Sequence, residues 1–148
     1  MTAVINQKRG AMAEKDFSNL LMNSIPGGVC ELVYDQGLTL QYANEGMFAM
    51  MQMSAEEFEK NYQNRYDKLL NPEDWKEMQN RIGEAIKTGH ILHMEYPVHH
   101  RSRKEEWRMM QAAVMERNGK PLMQCVVLDI SNVKRANEKL AEEQEKLK

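Results

Sequence analysis

Between residues 91 and 98 the chain alternates. Leu92, Met94, Tyr96 and Val98 are apolar or aromatic, and His93 and Glu95 between them are polar. Period two is the signature of a half-buried strand. The same rhythm runs through LTLQYA (38–43), where Leu38, Leu40 and Tyr42 alternate with Thr39, Gln41 and Ala43. VCELVY (29–34) precedes it across Asp35-Gln36-Gly37, so the two predict a hairpin around a glycine-containing turn. EWRMMQAAVME (106–116) is long and half apolar on both faces. Asn118-Gly119 is a strong turn signal, and PLMQCVVLDI (121–130) is apolar enough for a central strand. Pro97 predicts an edge position or a bulge for 91–98, because it cannot donate to a ladder.

Elsewhere the period changes to that of a helix. Residues 1–12 show none and read as a tail. Phe17, Leu20, Leu21 and Ile25 then predict a helix over 13–25, broken by Pro26-Gly27-Gly28. Asn44 is an N-cap for a short helix whose Met47, Met50 and Met51 share one face at i, i+3 and i+4, with Met53 past that face. Ser54-Ala55-Glu56-Glu57 is a capping box opening a second short helix, with Phe58 inward. Asn71-Pro72-Glu73-Asp74 offers an N-cap, proline at the first position and two acids for the helix dipole. Trp75, Met78, Ile82, Ala85 and Ile86 then hold one apolar face until Gly89 ends the helix. In the last segment Val133, Leu140 and Leu147 recur every seven residues, with Ile130, Asn137 and Gln144 in the alternate core positions. So narrow a seam among charged neighbours predicts pairing with a second chain, against the plainer reading of a helix lying on its own domain. The whole is α+β: a five-stranded antiparallel sheet with helices gathered on one face. It divides into a tail (1–12), an N-terminal helix (13–25), a domain (26–131) and a C-terminal helix (132–148).

Composition narrows the function classes. The 148 residues are 42% hydrophobic and 28% charged, suited to one domain with its own core. A net charge of −2 supplies no field for nucleic acid or an anionic membrane. The basic run Arg101-Ser102-Arg103-Lys104 is answered by Glu105-Glu106 and reads as a solvated hairpin tip. No stretch reaches membrane-span length and the N-terminus lacks the apolar run of a signal peptide, so a reducing cytoplasm is the expected location. The two cysteines, Cys30 and Cys125, are in no CxxC spacing. No nucleophile elbow, P-loop, HExxH or GxGxxG is present, and the acids are explained by capping and solvation, so catalysis is not expected. His90 and His93 point to opposite faces of a strand, as do His99 and His100, while His93 and His99 lie roughly 20 Å apart at ~3.3 Å per residue. No shared metal site follows. Thirteen methionines are the compositional oddity. A copper(I) box needs thioethers converging from an exposed segment, whereas Met47, Met50 and Met51 sit on the packed face of a helix and read as core or pocket lining.

Taken together, the pieces resemble a PAS domain with its C-terminal PAC portion, from about Leu21 to Leu140. LMNSIPGGV is similar to the entry to the family's first strand. LQYANEGMFAMMQMSAEEF resembles its strand, Ala-Asn, helix and Glu-Glu passage, with Gln52 where glycine is usual. LLNPEDWKEMQNRIGEAIKTG is similar to its His-Pro-Glu-Asp helix start, with Asn71 for His. Trp107 and Asn118-Gly119-Lys120-Pro121 resemble the last two strands, with Lys104-Glu105-Glu106 replacing the usual Asp-Gly before the tryptophan. VVLDISNVKRANEKL is similar to the exit motif that opens an output helix, here Asp129-Ile130-Ser131, with Ser131 for Thr as a residue able to cap a helix.

The resemblance implies a sensory or signal-relay module that is not itself an enzyme. It implies a pocket bounded by Met47, Met50, Met51, Phe58, Trp75, Ile82, Met109 and Met123 for a small molecule, or a partner domain in its place. The signal leaves through Asp129, Ile130 and Ser131 into a dimer helix carrying Val133, Asn137, Leu140, Gln144 and Leu147. A covalently linked effector follows, of the diguanylate cyclase or phosphodiesterase kind first, or a histidine kinase. The alternative is a ligand-free dimerisation module with a methionine-filled core. The cofactor is unknown. The flavin-photoreceptor motif has its nearest match at Asn64-Arg65-Tyr66, where the absence of cysteine excludes a cysteinyl-flavin adduct; non-covalent flavin is left open. Haem is disfavoured because Pro72 to Thr88 contains no histidine and His90 lies just beyond. The family's sheet order makes the first and last strands neighbours, bringing Cys30 towards Cys125, with buried reduced thiols as the expected state.

Overall fold

The computed structural model describes residues 27–99 and 105–147. The tail, the helix expected over 13–25 and the basic run at 101–104 lie outside them. Five strands form a single sheet: β1 (Gly27–Tyr34), β2 (Leu38–Ala43), β3 (Leu92–Val98), β4 (Glu106–Arg117) and β5 (Lys120–Asp129). Their spatial order is β2-β1-β5-β4-β3, with every neighbouring pair antiparallel. The apolar β5 is central and the proline-bearing β3 is an edge, as their compositions require. Asn118 and Gly119 both take positive φ, 54° and 78°, which suits the two-residue turn between β4 and β5.

The helices are α1 (Glu45–Met51), α2 (Ala55–Tyr62), α3 (Pro72–Thr88) and α4 (Ser131–Lys146). Each of the first three starts where its capping chemistry predicts. The Asn44 side-chain oxygen accepts from Met47 N–H, the Ser54 hydroxyl from Glu57 N–H and the Asn71 side-chain oxygen from Asp74 N–H. Gly89, at φ 71°, closes α3. Gln52 follows α1 in the left-handed region, φ 57°, a position glycine fills without steric cost.

One face of the sheet carries the core. Cys30 and Leu32 of β1, Leu92, Met94, Tyr96 and Val98 of β3, Met110 and Ala112 of β4, and Met123, Cys125 and Val127 of β5 are buried there. Against them pack Met47, Met50 and Met51 of α1, Phe58 of α2, and Met78 and Ile82 of α3. A short 3-10 turn, Tyr66–Leu69, adds Tyr66 and Leu69. Residue periodicity gave no sign of that turn, since four residues are too few to show one. It hangs on β2 through Asp67, whose carboxylate accepts from Leu38 N–H at 2.8 Å.

Met109 lies outside the core. It was expected in the pocket, but β4 presents Arg108, Met110 and Ala112 to the core, so Met109 projects from the other face of the sheet and is half-buried. Apolar residues at both parities of β4 made the choice of face ambiguous from sequence; the register with β5, Met110 opposite Val127, decides it. Ile86 likewise leaves the apolar face of α3 and is 50% exposed.

Candidate functional site

The methionine helix is held to the sheet at both ends. At its start, Gly28 makes close approach available: a Cβ there would lie 2.2 Å from the backbone nitrogen of Met47. The Asn44 side-chain oxygen accepts from both Met47 N–H (2.9 Å) and Val29 N–H (3.1 Å), so the cap of α1 is also a bond to β1. At its end, the last-turn carbonyl of Met50 accepts from the Arg108 guanidinium at 3.4 Å. The last carbonyls of a helix lack intrahelical donors and carry partial negative charge, which is the role this cation fills.

Arg108 is the largest fully buried side chain, with 2% of its surface exposed. A buried guanidinium is tolerated only when its donors are used and its charge matched. Glu106 lies 2.5 Å away and Asp129 3.2 Å away, and the Trp107 carbonyl accepts at 3.3 Å. Asp129 in turn accepts from the backbone N–H of Ser131 (3.0 Å) and from its hydroxyl (2.6 Å). The Ser131 oxygen accepts from Trp107 N–H at 2.9 Å. Ser131 is the first residue of α4 rather than its cap; Ile130 precedes it with no side-chain cap, and Asp129 accepts from the first helical N–H in place of one. Lys134 completes the first turn, pairing with Glu95 at 2.8 Å and lying 4.6 Å above the Trp107 ring. A continuous polar path thus joins the C-terminus of α1 to the first turn of α4.

Of the expected pocket residues, Met47, Met50, Met51, Phe58, Ile82 and Met123 meet in the core. Trp75 sits at its rim, edge-on to Tyr34 at 6.3 Å between ring centroids. The polar part of the core comes from Tyr66 and Tyr96, whose hydroxyls share a 2.6 Å hydrogen bond with the rings at 89°. Burial pushes both phenols up from their usual range. Among the described residues, no buried side-chain nitrogen or oxygen lacks a partner and no cluster of three metal-ligating side chains occurs. His90, His93 and His99 are exposed. The inward parity of Tyr96 is visible in the alternation of β3, whereas Arg108 is turned inward only by the register of β4, which sets it directly opposite Tyr96.

The matched family model carries the description PAS fold and spans residues 40–127, more than half of the chain. The chain belongs to the PAS fold family. Solved structures agree in fold. A sensory box histidine kinase/response regulator from Burkholderia thailandensis superposes with a TM-score of 0.64 at 17% identity, over 87% of this chain and 95% of that one. A PAS domain of a protein from Colwellia psychrerythraea gives 0.54 at 14%, over 79% and 97%. A PAS domain from a two-component sensor histidine kinase gives 0.51 at 13%, over 80% and 98%. No curated protein matches the chain. As a PAS domain it is a sensory signalling module. Among the described residues, no helix is long and apolar enough to cross a membrane.

Proposed function

We propose that this PAS domain is a cytoplasmic relay in which a small molecule or a partner domain displaces α1, and Arg108 passes the displacement to α4. One observation carries this reading: the same guanidinium bonds the Met50 carbonyl and the Asp129 carboxylate. Asp129 caps the exit helix, so a movement of α1 that pulls Arg108 away alters the cap. An ion-paired residue exchanging between two partners is a bistable element of the kind switches use. The methionines suit the input side, because their flexible thioethers repack around changed contents at low cost.

The output side fits a homodimer. Val133 and Leu140 on α4 and Leu147 just past its end are 49%, 55% and 87% exposed, so their own domain does not cover them. Asn137 and Gln144 lie in the alternate positions of the same seam, where polar residues lower the stability of one register. The helix would re-register against its twin and drive a linked effector. The sensor histidine kinases among the fold relatives support a kinase output beside the diguanylate cyclase or phosphodiesterase that the overall resemblance put first.

The test is hydrogen exchange at the first turn of α4, with native mass spectrometry to identify any co-purifying molecule. A bound molecule that protects α1 and changes exchange at Ser131–Arg135 supports the relay. Protection confined to α1 refutes it. Light scattering before and after truncation at Ser131 checks the dimer: a monomer in both forms rules it out. The alternative is a ligand-free dimerisation module, supported by the complete pairing of buried polar atoms among the described residues, which leaves no donor waiting for a ligand. An apo mass spectrum and no thermal shift across a metabolite panel would favour it.

A further inference from the structure

Cys30 and Cys125 stand opposite each other across the β1–β5 pair, near the middle of the sheet. Directly opposed residues of an antiparallel pair have Cα atoms about 4.5 or 5.5 Å apart. Both values fall within the roughly 4.4–6.8 Å that a disulfide spans. Their side chains project from the same face into the core, at 2% and 3% exposure. The neighbouring Cys30 thiol, with burial, pushes the Cys125 thiol well up from its usual range. Both cysteines are free thiols in this structure.

We propose that Cys30 and Cys125 are an oxidisable dithiol, closed to a disulfide by a peroxide or another two-electron thiol oxidant. With a peroxide, one cysteine sulfur attacks the O–O bond and becomes a sulfenic acid, releasing an alcohol or water. The second sulfur then attacks the first, the S–S bond forms and water leaves. The two sulfurs together lose two electrons and two protons, and the peroxide is reduced. The Cys30–Cys125 bond ties β1 to β5, the strand that runs directly into Asp129 and the exit helix. This input is separate from whatever α1 senses, and it stands whether or not the core binds a small molecule.

Burial sets the kinetics. The thiols of a low-pKa peroxide sensor are exposed and largely ionised. These are buried, so oxidation follows opening of the sheet, and mild urea accelerates it. The reaction records prolonged oxidant exposure rather than a brief pulse.

The experiment treats the full chain with diamide, which takes two electrons from thiols and spares the thirteen methionines. Free thiols are titrated after denaturation, and intact mass and non-reducing gels are read in parallel. The expected result is loss of both thiols, a mass lower by about 2 Da, a monomeric gel band and a peptide linking Cys30 to Cys125. The melting temperature rises by roughly 5–10 °C, because the bond closes a loop of roughly 100 residues. Cys30→Ala and Cys125→Ala each keep one titratable thiol. Two thiols persisting in the wild type, including in sub-denaturing urea, overturn the proposal, as do disulfides found only between chains. The wild-type mass and peptide map decide the matter even where a variant folds poorly.

Discussion

Replacing Arg108 by methionine tests the link between α1 and α4 most directly. Methionine keeps much of the buried volume and the flexible stem while removing the charge and all the donors. The losses are the pairs to Glu106 (2.5 Å) and Asp129 (3.2 Å) and the long bonds to the carbonyls of Met50 (3.4 Å) and Trp107 (3.3 Å). Removing one partner of a buried ion pair costs about 3–5 kcal/mol. Two features pull the cost towards the lower end here. The carboxylates retain 15% and 23% side-chain exposure and are able to rehydrate. Asp129 also keeps both of its bonds from Ser131. We expect a loss of about 3 kcal/mol by urea denaturation, a fall in melting temperature of roughly 10 °C. Adding Asp129→Asn to Arg108→Met should cost less than the sum of the single changes, by about 1–2 kcal/mol, because the two groups face each other. Hydrogen exchange should quicken at both ends of the path, in the last turn of α1 and the first turn of α4. A loss under about 1 kcal/mol would show that the guanidinium is dispensable. Faster exchange at α1 with α4 unaltered would show that the two helices are not coupled through it.

Three further outcomes follow from the same geometry. Tyr66 and Tyr96 hold their protons in the folded protein beyond the ordinary phenol value of 10.0, so the unfolded chain binds fewer protons at high pH and stability falls there. The stabilisation is whole below pH 10 and declines above it by about 1.4 kcal/mol per pH unit for each tyrosine; denaturation midpoints at pH 9, 10 and 11 check the slope, and a flat profile refutes it. Tyr66→Phe leaves the Tyr96 hydroxyl without its 2.6 Å partner and should cost about 1–3 kcal/mol, whereas Tyr66→Phe with Tyr96→Phe should recover part of that loss in the same urea assay. Gln52→Gly should stabilise by about 0.5–1 kcal/mol, since glycine adopts φ 57° without the Cβ clash; a destabilised variant in thermal melts would mean the glutamine side chain makes contacts worth more than the strain.

Much of the fold was legible because its signals are local. Asn44, Ser54 and Asn71 cap the helices they announce, Asn118-Gly119 turns the chain, and the alternation of Leu92, Met94, Tyr96 and Val98 puts all four inside. The misreadings have one physical origin, the dependence of a site on pairings between distant segments. Met109 and Met110 are chemically alike, and only the register against β5 tells which one faces the core. The 3-10 turn at Tyr66 draws its place from a bond between Asp67 and the backbone of β2, a contact of 29 residues' separation. Arg108 is placed inside by the register of β4, which also sets Asp129 opposite it, and neither is written in its own neighbourhood. The cap of α4 shows the same limit at short range. Serine is a good cap by type, yet the aspartate two residues earlier takes that role and leaves the serine hydroxyl to hold β4.

The two ends of α1 are fastened by directional bonds, from Asn44 to β1 and from Arg108 to the Met50 carbonyl, while its middle rests on thioethers that have no preferred direction. Mechanically this is a beam pinned at its ends over a soft bed. Swelling or shrinkage of the bed is absorbed locally and leaves the pins where they are. Only a load that twists the helix or pulls it along its axis reaches the far pin. A stimulus would then be graded by the direction in which it pushes rather than by its size, and chemically different agents pushing the same way would be read as one.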